Sequence, residues 1–288
     1  MRLSRMAVAA ALSLAFAGVQ ASKPLATTHW PTPTISTPQW ESHPAIDPLT
    51  GDVWFVRSDP HFTGWRLWLS RCTAGTLQPA TEIALAGEGL EADPFFADNG
   101  KTLWFISTGP GASKNSADLD VWRVARNPDN TWGKPERLPA PLNSNAAEWF
   151  PRPAHDGWLY FGSRREGGKG ADDIWRARKH GDTWQVENAG AAFNTKMAEY
   201  EFQPSPDGRW GVLSTDNGLY RVDHGAKGWK PRARYGAEVN VTSAEIGPMI
   251  ASDGKSIVFS RDAGDGQSGE LYIAGPMASK GIATCSAR

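Results

Sequence analysis

The sequence lacks the short motifs that identify several common enzyme classes. Its 288 residues contain no Gly-x-Ser-x-Gly elbow, no His-Glu-x-x-His pair and no P-loop. Acidic and basic residues nearly balance, with a net charge of -1, so no global field favours nucleic acid or an anionic membrane. There are only two cysteines, which is too few for a disulfide-rich scaffold.

Long apolar runs are also missing, except at the start of the chain. Arg2 and Arg5 precede an apolar stretch over residues 6–19, and small residues follow up to Ala21. This stretch is shorter than the roughly 20 residues that span a bilayer, so the pattern predicts a signal peptide over residues 1–21 rather than a membrane anchor. We therefore expect a periplasmic or secreted protein with no integral membrane span.

What the sequence does have is a repeat. Each repeat opens with a Glu-x-x-Pro tetrapeptide, and the prolines of these five tetrapeptides are 50, 57, 53 and 44 residues apart. A tight-turn pair such as Asn99-Gly100 or Asp253-Gly254 follows each tetrapeptide. That spacing and turn chemistry are typical of the four-stranded antiparallel blades of a β-propeller. The five tetrapeptides that open the repeats are Glu41-Ser-His-Pro44, Glu91-Ala-Asp-Pro94, Glu148-Trp-Phe-Pro151, Glu201-Phe-Gln-Pro204 and Glu245-Ile-Gly-Pro248.

The prediction is an all-β fold, with residues 22–288 as a single five-bladed propeller. The last repeat has no outer strand of its own, and residues 29–36 precede the first repeat at the distance needed to supply one. A propeller closes without a free edge when one terminus completes the blade begun at the other. A sixth blade built in part from residues 275–288 is the alternative. The predicted blades are 41–86, 91–143, 148–194, 199–240 and 245–275 plus 29–36.

The best-formed repeat is the third, which reads Ser163-Arg-Arg-Glu-Gly-Gly-Lys-Gly-Ala-Asp-Asp-Ile-Trp175. Together with the Glu-x-x-Pro, Asp-Gly and Asn-x4-Glu elements, it resembles the TolB-type, WD-like β-propeller repeat of exported bacterial proteins. The resemblance covers residues 41–275, but the N-terminal domain of TolB has no counterpart here. It implies binding of a protein or ligand in the periplasm without catalysis, which is an argument from fold alone.

One face of the propeller is the expected working surface. The strand starts and the long loops between second and third strands share this face, and binding residues concentrate on variable loops. We expect a non-catalytic protein that binds a protein, peptide or other envelope component there, as a monomer. The candidate binding residues are Glu41, Glu91, Glu148, Glu199, Glu245, His61, Trp65, Trp149, Arg164 and Arg165.

Two other interpretations of the carboxylates remain open. Glu41, Glu91 and Glu148 would serve as acid and base in a glycan-active hydrolase or lyase, with Trp65 and Trp149 stacking on sugar. No cofactor is expected, although a divalent cation in the channel mouth would relieve repulsion among clustered carboxylates. The favoured interpretation is structural: each glutamate is tied to a backbone N–H or to an arginine of its own repeat, such as Arg57, Arg164 or Arg261.

The two cysteines offer a way to fasten the ring. Cys72 follows the third strand of the first repeat, and Cys285 lies in the tail after the last. The first and last blades of a closed ring are neighbours, so the sequence predicts a Cys72–Cys285 disulfide in an oxidising compartment.

Overall fold

Each repeat of the sequence folds into its own antiparallel sheet. The computed structural model describes residues 25–30, 33–112, 118–264, 268–279 and 285, so the predicted signal peptide lies outside the described residues. The strands are β1 Thr27–His29, β2 Trp40–Ile46, β3 Val53–Ser58, β4 Arg66–Ser70, β5 Cys72–Thr73, β6 Thr76–Leu77, β7 Thr81–Ile83, β8 Glu91–Ala97, β9 Thr102–Ser107, β10 Asp120–Ala125, β11 Glu136–Arg137, β12 Glu148–Pro153, β13 Leu159–Ser163, β14 Asp173–His180, β15 Thr183–Asn188, β16 Glu199–Pro204, β17 Trp210–Thr215, β18 Gly218–Gly225, β19 Gly228–Trp229, β20 Ala233–Arg234, β21 Ile246–Ile250, β22 Ile257–Asp262 and β23 Gly269–Ala274. Two short 3₁₀ turns complete the set, at Asp98–Gly100 and Pro276–Ser279.

The sheets follow the repeats in order. Within the described residues, the successive groups are β2-β3-β4-β7, β8-β9-β10-β11, β12-β13-β14-β15, β16-β17-β18 with β19 and β20, and β21-β22-β23 with β1. The second strand of each group is a nearly continuous apolar run, and strands β3 and β17 are buried at every position. Such strands need a neighbouring sheet on both faces. The sequence pattern therefore already requires the sheets to pack against one another.

The core consists of apolar layers between successive sheets. Leu69 of the first sheet packs in one cluster with Phe105 of the second, and Tyr160 of the third packs with Leu213 of the fourth. Two further clusters join the second sheet to the third and the fourth to the fifth. A last cluster joins the fifth sheet to the first, so the layers return to their starting point and the sheets form a closed ring.

The two ends of the chain complete this ring. Strand β1 pairs antiparallel with β23, and His29 lies opposite Tyr272. Trp40 of β2 also bridges to Gly269 of β23 in parallel. The N-terminal strand thus supplies the outer strand of the last sheet, although it occupies residues 27–29 rather than 29–36. A disulfide joins Cys72 to Cys285 across 213 positions of sequence and ties the tail to the first sheet.

The fold is an all-β propeller. Whether it has five blades or six stays a prediction, because most of the tail that would build a sixth blade lies outside the described residues. The single-domain boundary at residues 22–288 is a prediction for the same reason at both ends. Among the residues that the structure describes, no helix has the length and apolar character to cross a membrane.

Candidate functional site

The glutamates that open the repeats are internal braces. Glu41, Glu91, Glu148, Glu199 and Glu245 all have 0% exposed surface. In three sheets the glutamate accepts a hydroxyl hydrogen bond from a residue four positions earlier: Thr37 to Glu41 at 2.6 Å, Ser144 to Glu148 at 2.5 Å and Thr195 to Glu199 at 2.7 Å. Glu91 instead accepts backbone N–H groups of Leu85 and Ala86, and Glu245 accepts those of Val241 and Thr242.

Four of these glutamates also contact an arginine. The pairs are Arg57–Glu41 at 2.7 Å, Arg165–Glu148 at 2.8 Å, Arg232–Glu199 at 2.6 Å and Arg261–Glu245 at 3.5 Å. Burial raises the pKa of Glu41, Glu91 and Glu148, while their hydrogen bonds and neighbouring arginines oppose the shift. Carboxylates so enclosed cannot touch a partner at the surface, and they hold the start of each first strand in place.

Two sequence-based assignments change at these braces. Glu199, not Glu201, is the structural equivalent of Glu148, because Glu199 lies opposite Thr215 as Glu148 lies opposite Ser163. The arginine of the third brace is Arg165, whereas Arg164 pairs with Asp172 at 2.7 Å. Consecutive side chains of a strand point to opposite sides, so a shift of one residue changes which partner an arginine meets. Proline spacing is also misleading in the fourth repeat, because Pro204 corresponds in register to Pro153 and not to Pro151.

The residues that enter the centre of the ring lie two positions after the braces. Each first strand carries a register shift just past its glutamate. His43, Asp93 and Phe150 have positive φ there, at 50°, 58° and 52°, and Gly247 has a φ of 62°. A β-bulge turns a side chain away from the regular alternation, and bulges are common beside active sites. The fourth sheet places Glu201 at the corresponding point.

These side chains form a buried charged cluster. His43 Nε2 lies 2.8 Å from Glu201 Oε1 and 3.4 Å from Asp93 Oδ1, so one imidazole nitrogen contacts carboxylates from two other sheets. The Phe150 N–H donates to Asp93 Oδ2 at 2.7 Å, and the Gly247 N–H donates to Glu201 Oε2 at 2.8 Å. Each of the five strand groups in the described part of the chain therefore contributes one residue to this centre, which we call the central cluster: His43, Asp93, Phe150, Glu201 and Gly247.

Burial and charge set the protonation of the cluster. Burial raises the pKa of Asp93, and the nearby charge of Glu201 adds to that shift while His43 and Arg152 oppose it. Burial by itself would lower the pKa of His43, but the charges of Asp93 and Glu201 outweigh it and raise that pKa above its ordinary value. The two carboxyl groups beside His43 thus favour its protonated form more than water does.

Arg152 closes the cluster on the side of the tight turns. Its Nε donates to Gln203 at 2.8 Å, and its guanidinium lies 3.5 Å from the centre of the Phe150 ring. The side chain is almost fully buried, and burial lowers its pKa to about 10. Beyond it, a wide funnel of about 800 Å³ opens between the tight turns. The central cluster and Arg152 thus separate the two mouths of the channel.

A smaller pocket lies above the cluster, on the face with the long loops. It measures about 280 Å³, and His43, Asp93 and Glu201 are among its lining residues. Aromatic side chains form its walls: Phe62 and Trp65 from the first sheet, Trp149 from the third and Tyr200 from the fourth. Hydrogen bonds hold both indoles, from Trp65 Nε1 to Phe62 O at 2.7 Å and from Trp149 Nε1 to Tyr200 O at 2.8 Å.

The candidate residues chosen from sequence divide between pocket and frame. Trp65, Trp149 and Arg164 line the pocket, whereas His61 is exposed in the same loop as Phe62 but does not line it. Arg165 is committed to Glu148 and to the carbonyl oxygen of Leu142. Within the described ranges, no three His, Cys, Asp or Glu residues are arranged to hold a metal ion, and the cation in the channel mouth stays a prediction.

Sequence reasoning missed His43, Asp93, Glu201, Phe62 and Tyr200. A signal for the first two was present: the position two residues after the opening glutamate is His, Asp, Phe or Gly in different repeats, while the glutamate itself does not vary. In a repeat protein, a position occupied by the same residue in every blade is typical of a structural role. A position whose residue differs between blades is a better candidate for a unique functional site. Glu201 gives no such signal, because the sequence offers both Glu199 and Glu201 as the repeat glutamate of the fourth blade.

Comparison with known proteins gives the fold but no family. No protein family matches the chain, and no curated protein sequence matches it. Among solved structures, an endo-arabinase from Bacteroides thetaiotaomicron has a TM-score of 0.52 at 12% identity, over 86% of this chain and 98% of that one. An arabinanase from Bacillus subtilis has a TM-score of 0.48 at 13% identity, over 83% and 95%. A putative 6-phosphogluconolactonase from Bacteroides uniformis has a TM-score of 0.42 at 15% identity; 77% of this chain aligns, spanning only 64% of that protein.

These findings correct the expectation of a non-catalytic binding protein. The endo-arabinase, whose name is that of an enzyme, shares this fold over 86% of this chain and 98% of its own. Acid and base roles need two carboxyl groups in different environments, and an argument against catalysis is that repeated glutamates share one environment. That argument applied to the braces, whereas the carboxylates at the pocket are Asp93 and Glu201, which differ in residue type and in partners.

Proposed function

We propose that this protein is a glycan-active hydrolase whose active site is the pocket above the central cluster. The observation that carries the proposal is the meeting of Asp93 and Glu201, from different sheets, at one aromatic-lined pocket. Glycoside hydrolysis needs a pair of carboxyl groups in different environments. Pockets with aromatic walls and a few convergent polar groups are typical of small-ligand sites, and sugar rings pack on aromatic faces.

The roles follow from the surroundings of each carboxyl group. Asp93 has a pKa raised by burial, which suits a general acid that protonates the leaving glycosidic oxygen. Glu201 then attacks the anomeric carbon, and water afterwards hydrolyses the glycosyl ester with Asp93 as base. His43 contacts one oxygen of each carboxyl group and positions both.

The geometry also favours one stereochemical course. Asp93 Oδ1 and Glu201 Oε1 lie 3.4 and 2.8 Å from the same nitrogen of His43, so they cannot be further apart than the sum of these distances. The nearest oxygens of the pair are thus closer together than the about 6.5–9.5 Å between the carboxyl groups of inverting glycosidases, which favours the shorter separation of about 5–5.5 Å in retaining ones. The product should keep the anomeric configuration of the substrate.

The experiment is a screen of the purified protein on a panel of neutral and acidic polysaccharides, with release of reducing ends as the readout. Asp93→Asn and Glu201→Gln should each lower the rate about 10²–10⁴-fold. His61→Ala, in the same face but outside the pocket, should keep the wild-type rate. Proton NMR of the first product should show retention.

Three results would contradict the proposal. The first is that the wild-type protein hydrolyses no glycan of the panel. The second is that both carboxyl variants keep full rate, and the third is that the product contains a new double bond, which would identify a lyase.

We further propose that the protein works outside the cytoplasm, as a TolB-type repeat protein of the periplasm or as a secreted one. Support comes from the leader pattern of residues 1–21 and from the Cys72–Cys285 disulfide, since disulfides persist in oxidising compartments. A leaderless variant should remain in the cytoplasm on cell fractionation. Export of that variant would contradict this part of the proposal.

A further inference from the structure

Arg164 lies at the edge of the pocket, and some of the N–H groups of its guanidinium have no hydrogen-bond partner among the described residues. It follows strand β13 and lines the pocket beside Trp149, with its guanidinium carbon 5.5 Å from the ring centre. Its Nε and Nη2 donate to the two carboxylate oxygens of Asp172 at 2.7 and 3.4 Å. A guanidinium has five N–H donors, so three remain without a partner among the described residues. The side chain is 66% exposed, so these donors reach solvent.

The other cations near the pocket are occupied. His43 is enclosed between Asp93 and Glu201, and Arg152 is buried beneath Phe150. Arg165, next in the chain, gives its donors to Glu148 and to backbone carbonyls. Within the described part of the chain, Arg164 is therefore the pocket cation that can bind a ligand without breaking the frame.

The pairing with Asp172 makes Arg164 a selective donor rather than a general attractor of anions. Asp172 is buried and offsets the charge of the guanidinium, so the long-range field at the rim is weak. It also fixes the plane of the guanidinium, which lowers the entropy lost when a ligand binds. A planar fork held in this way matches a carboxylate, which accepts two parallel N–H groups.

From this arrangement we infer that the pocket takes a uronic acid residue, whose carboxylate Arg164 binds while the aromatic walls hold its ring. The inference rests on the proposed function for its site but not for its readout, since binding can be measured without turnover. A sulfated sugar carries the same charge on a tetrahedral group. It is therefore the alternative anionic ligand that the test must distinguish from a uronic acid.

The test is calorimetric titration of the full-length protein carrying Asp93→Asn, in which turnover should be about 10²–10⁴-fold slower. The probes are a galacturonic acid trisaccharide, the same trisaccharide with its carboxyl groups reduced to alcohols, and a sulfated galactose trisaccharide. The acid should bind at least about tenfold more tightly than the reduced form, as expected for hydrogen bonds to a charged group. The preference should change little between low and moderate salt.

Adding Arg164→Gln should remove the preference, and Arg164→Lys should restore only part of it, because an ammonium group lacks the planar fork. The matched control is Arg123→Gln. Arg123 lies on strand β10, is ion-paired to Glu136 and does not line the pocket. This variant should leave the preference intact.

Equal affinity for acid and reduced forms, no binding of either, or a preference that survives Arg164→Gln would overturn the inference. Tighter binding of the sulfated sugar would overturn the choice of a carboxylate. These outcomes are separable from the proposed function. A protein that binds the acid yet hydrolyses no glycan contradicts only the enzyme proposal, and one that hydrolyses glycans without preferring acids contradicts only the uronic acid inference.

Discussion

His43 is the residue on which the centre of the ring depends most directly. Its imidazole is 5% exposed, and Nδ1 lies 2.8 Å from the Ser42 hydroxyl while Nε2 contacts Glu201 and Asp93. Its φ of 50° is a left-handed conformation that His, Asn and Asp adopt more readily than other side chains. The positions of the two proposed catalytic carboxyl groups therefore depend on the conformation and the charge of one histidine.

The raised pKa of His43 predicts a pH dependence of stability. A folded-state pKa above the unfolded value of 6.5 means that the native protein binds the proton more tightly, so this contribution is fully present below pH 6.5. It is lost as pH rises through the folded value. The free energy of unfolding in urea, followed by tryptophan fluorescence, should therefore fall as the pH rises above 6.5.

His43→Asn keeps a residue suited to positive φ but removes the titrating group. Its stability should change less over the same pH range than that of the wild-type protein. Identical slopes for the two proteins would show that His43 does not carry the effect. The raised pKa of Asp93 acts in the same direction, but from its unfolded value of 3.8 upward.

The first strand of each sheet is the element that separates frame from site. Its opening glutamate fastens the strand to the preceding loop. Two residues later, past the register shift, three of the strands place a different side chain at the pocket: His43, Asp93 and Glu201. Glu199 and Glu201 illustrate the division within one strand: the first pairs with Arg232 and the second with His43. A single element thus serves both stability and the proposed chemistry.

Strand β13 makes a comparable contribution through its lack of a side chain at Gly162. A Cβ there would overlap with both Trp149 Nε1 and the carbonyl oxygen of Tyr200. These two atoms are hydrogen-bonded to each other at 2.8 Å. Gly162→Ala should therefore break that bond and displace one wall of the pocket. The indole N–H signal of Trp149, assigned with Trp149→Phe in tryptophan-labelled protein, should shift and exchange faster with solvent.

Gly211→Ala is the matched control, because Gly211 lies in the corresponding strand of the next sheet and a Cβ there would meet the Phe202 ring. It should lower the melting temperature but leave the Trp149 signal in place. An unchanged Trp149 signal in Gly162→Ala would mean that the wall adapts without losing its hydrogen bond.

At the scale of the whole molecule, the ring is closed by three kinds of contact. Strand β1 pairs with β23, an apolar cluster joins the last sheet to the first, and the disulfide holds the tail. The pairing with β1 covers the outer edge of β23, which would otherwise be free to pair with another chain. Closure of the ring also fixes the sheets relative to one another, which a site assembled from all five of them requires.

The disulfide should contribute to this closure measurably. It spans 213 positions of sequence, and cross-links over long loops restrict the unfolded chain most. Replacing both Cys72 and Cys285 with Ala should lower the free energy of unfolding by about 2–5 kcal/mol. Urea unfolding of this variant should match that of the wild-type protein under reducing agent. An unchanged unfolding midpoint would show that strand pairing alone secures the ring.

The sequence by itself determined the repeat, the propeller fold, the closure by an N-terminal strand and the face that carries the pocket. These follow from local patterns: apolar strands, Asp-Gly turns and loop length each act within a few residues and recur along the chain. It also indicated Trp65 and Trp149, which lie apart from the tryptophans that recur at equivalent positions of the repeats, and Arg164 on the same face. Its preferred function was wrong.

Only the tertiary structure decided which carboxylates meet. His43, Asp93 and Glu201 lie far apart in sequence, and a bulge with positive φ turns His43 and Asp93 towards the centre of the ring. The repeat pattern identifies the brace glutamates because they recur in every repeat. A unique site instead forms at the equivalent positions where the residue differs from repeat to repeat. Their convergence depends on how the sheets are arranged around the ring, and no segment of the sequence encodes that by itself.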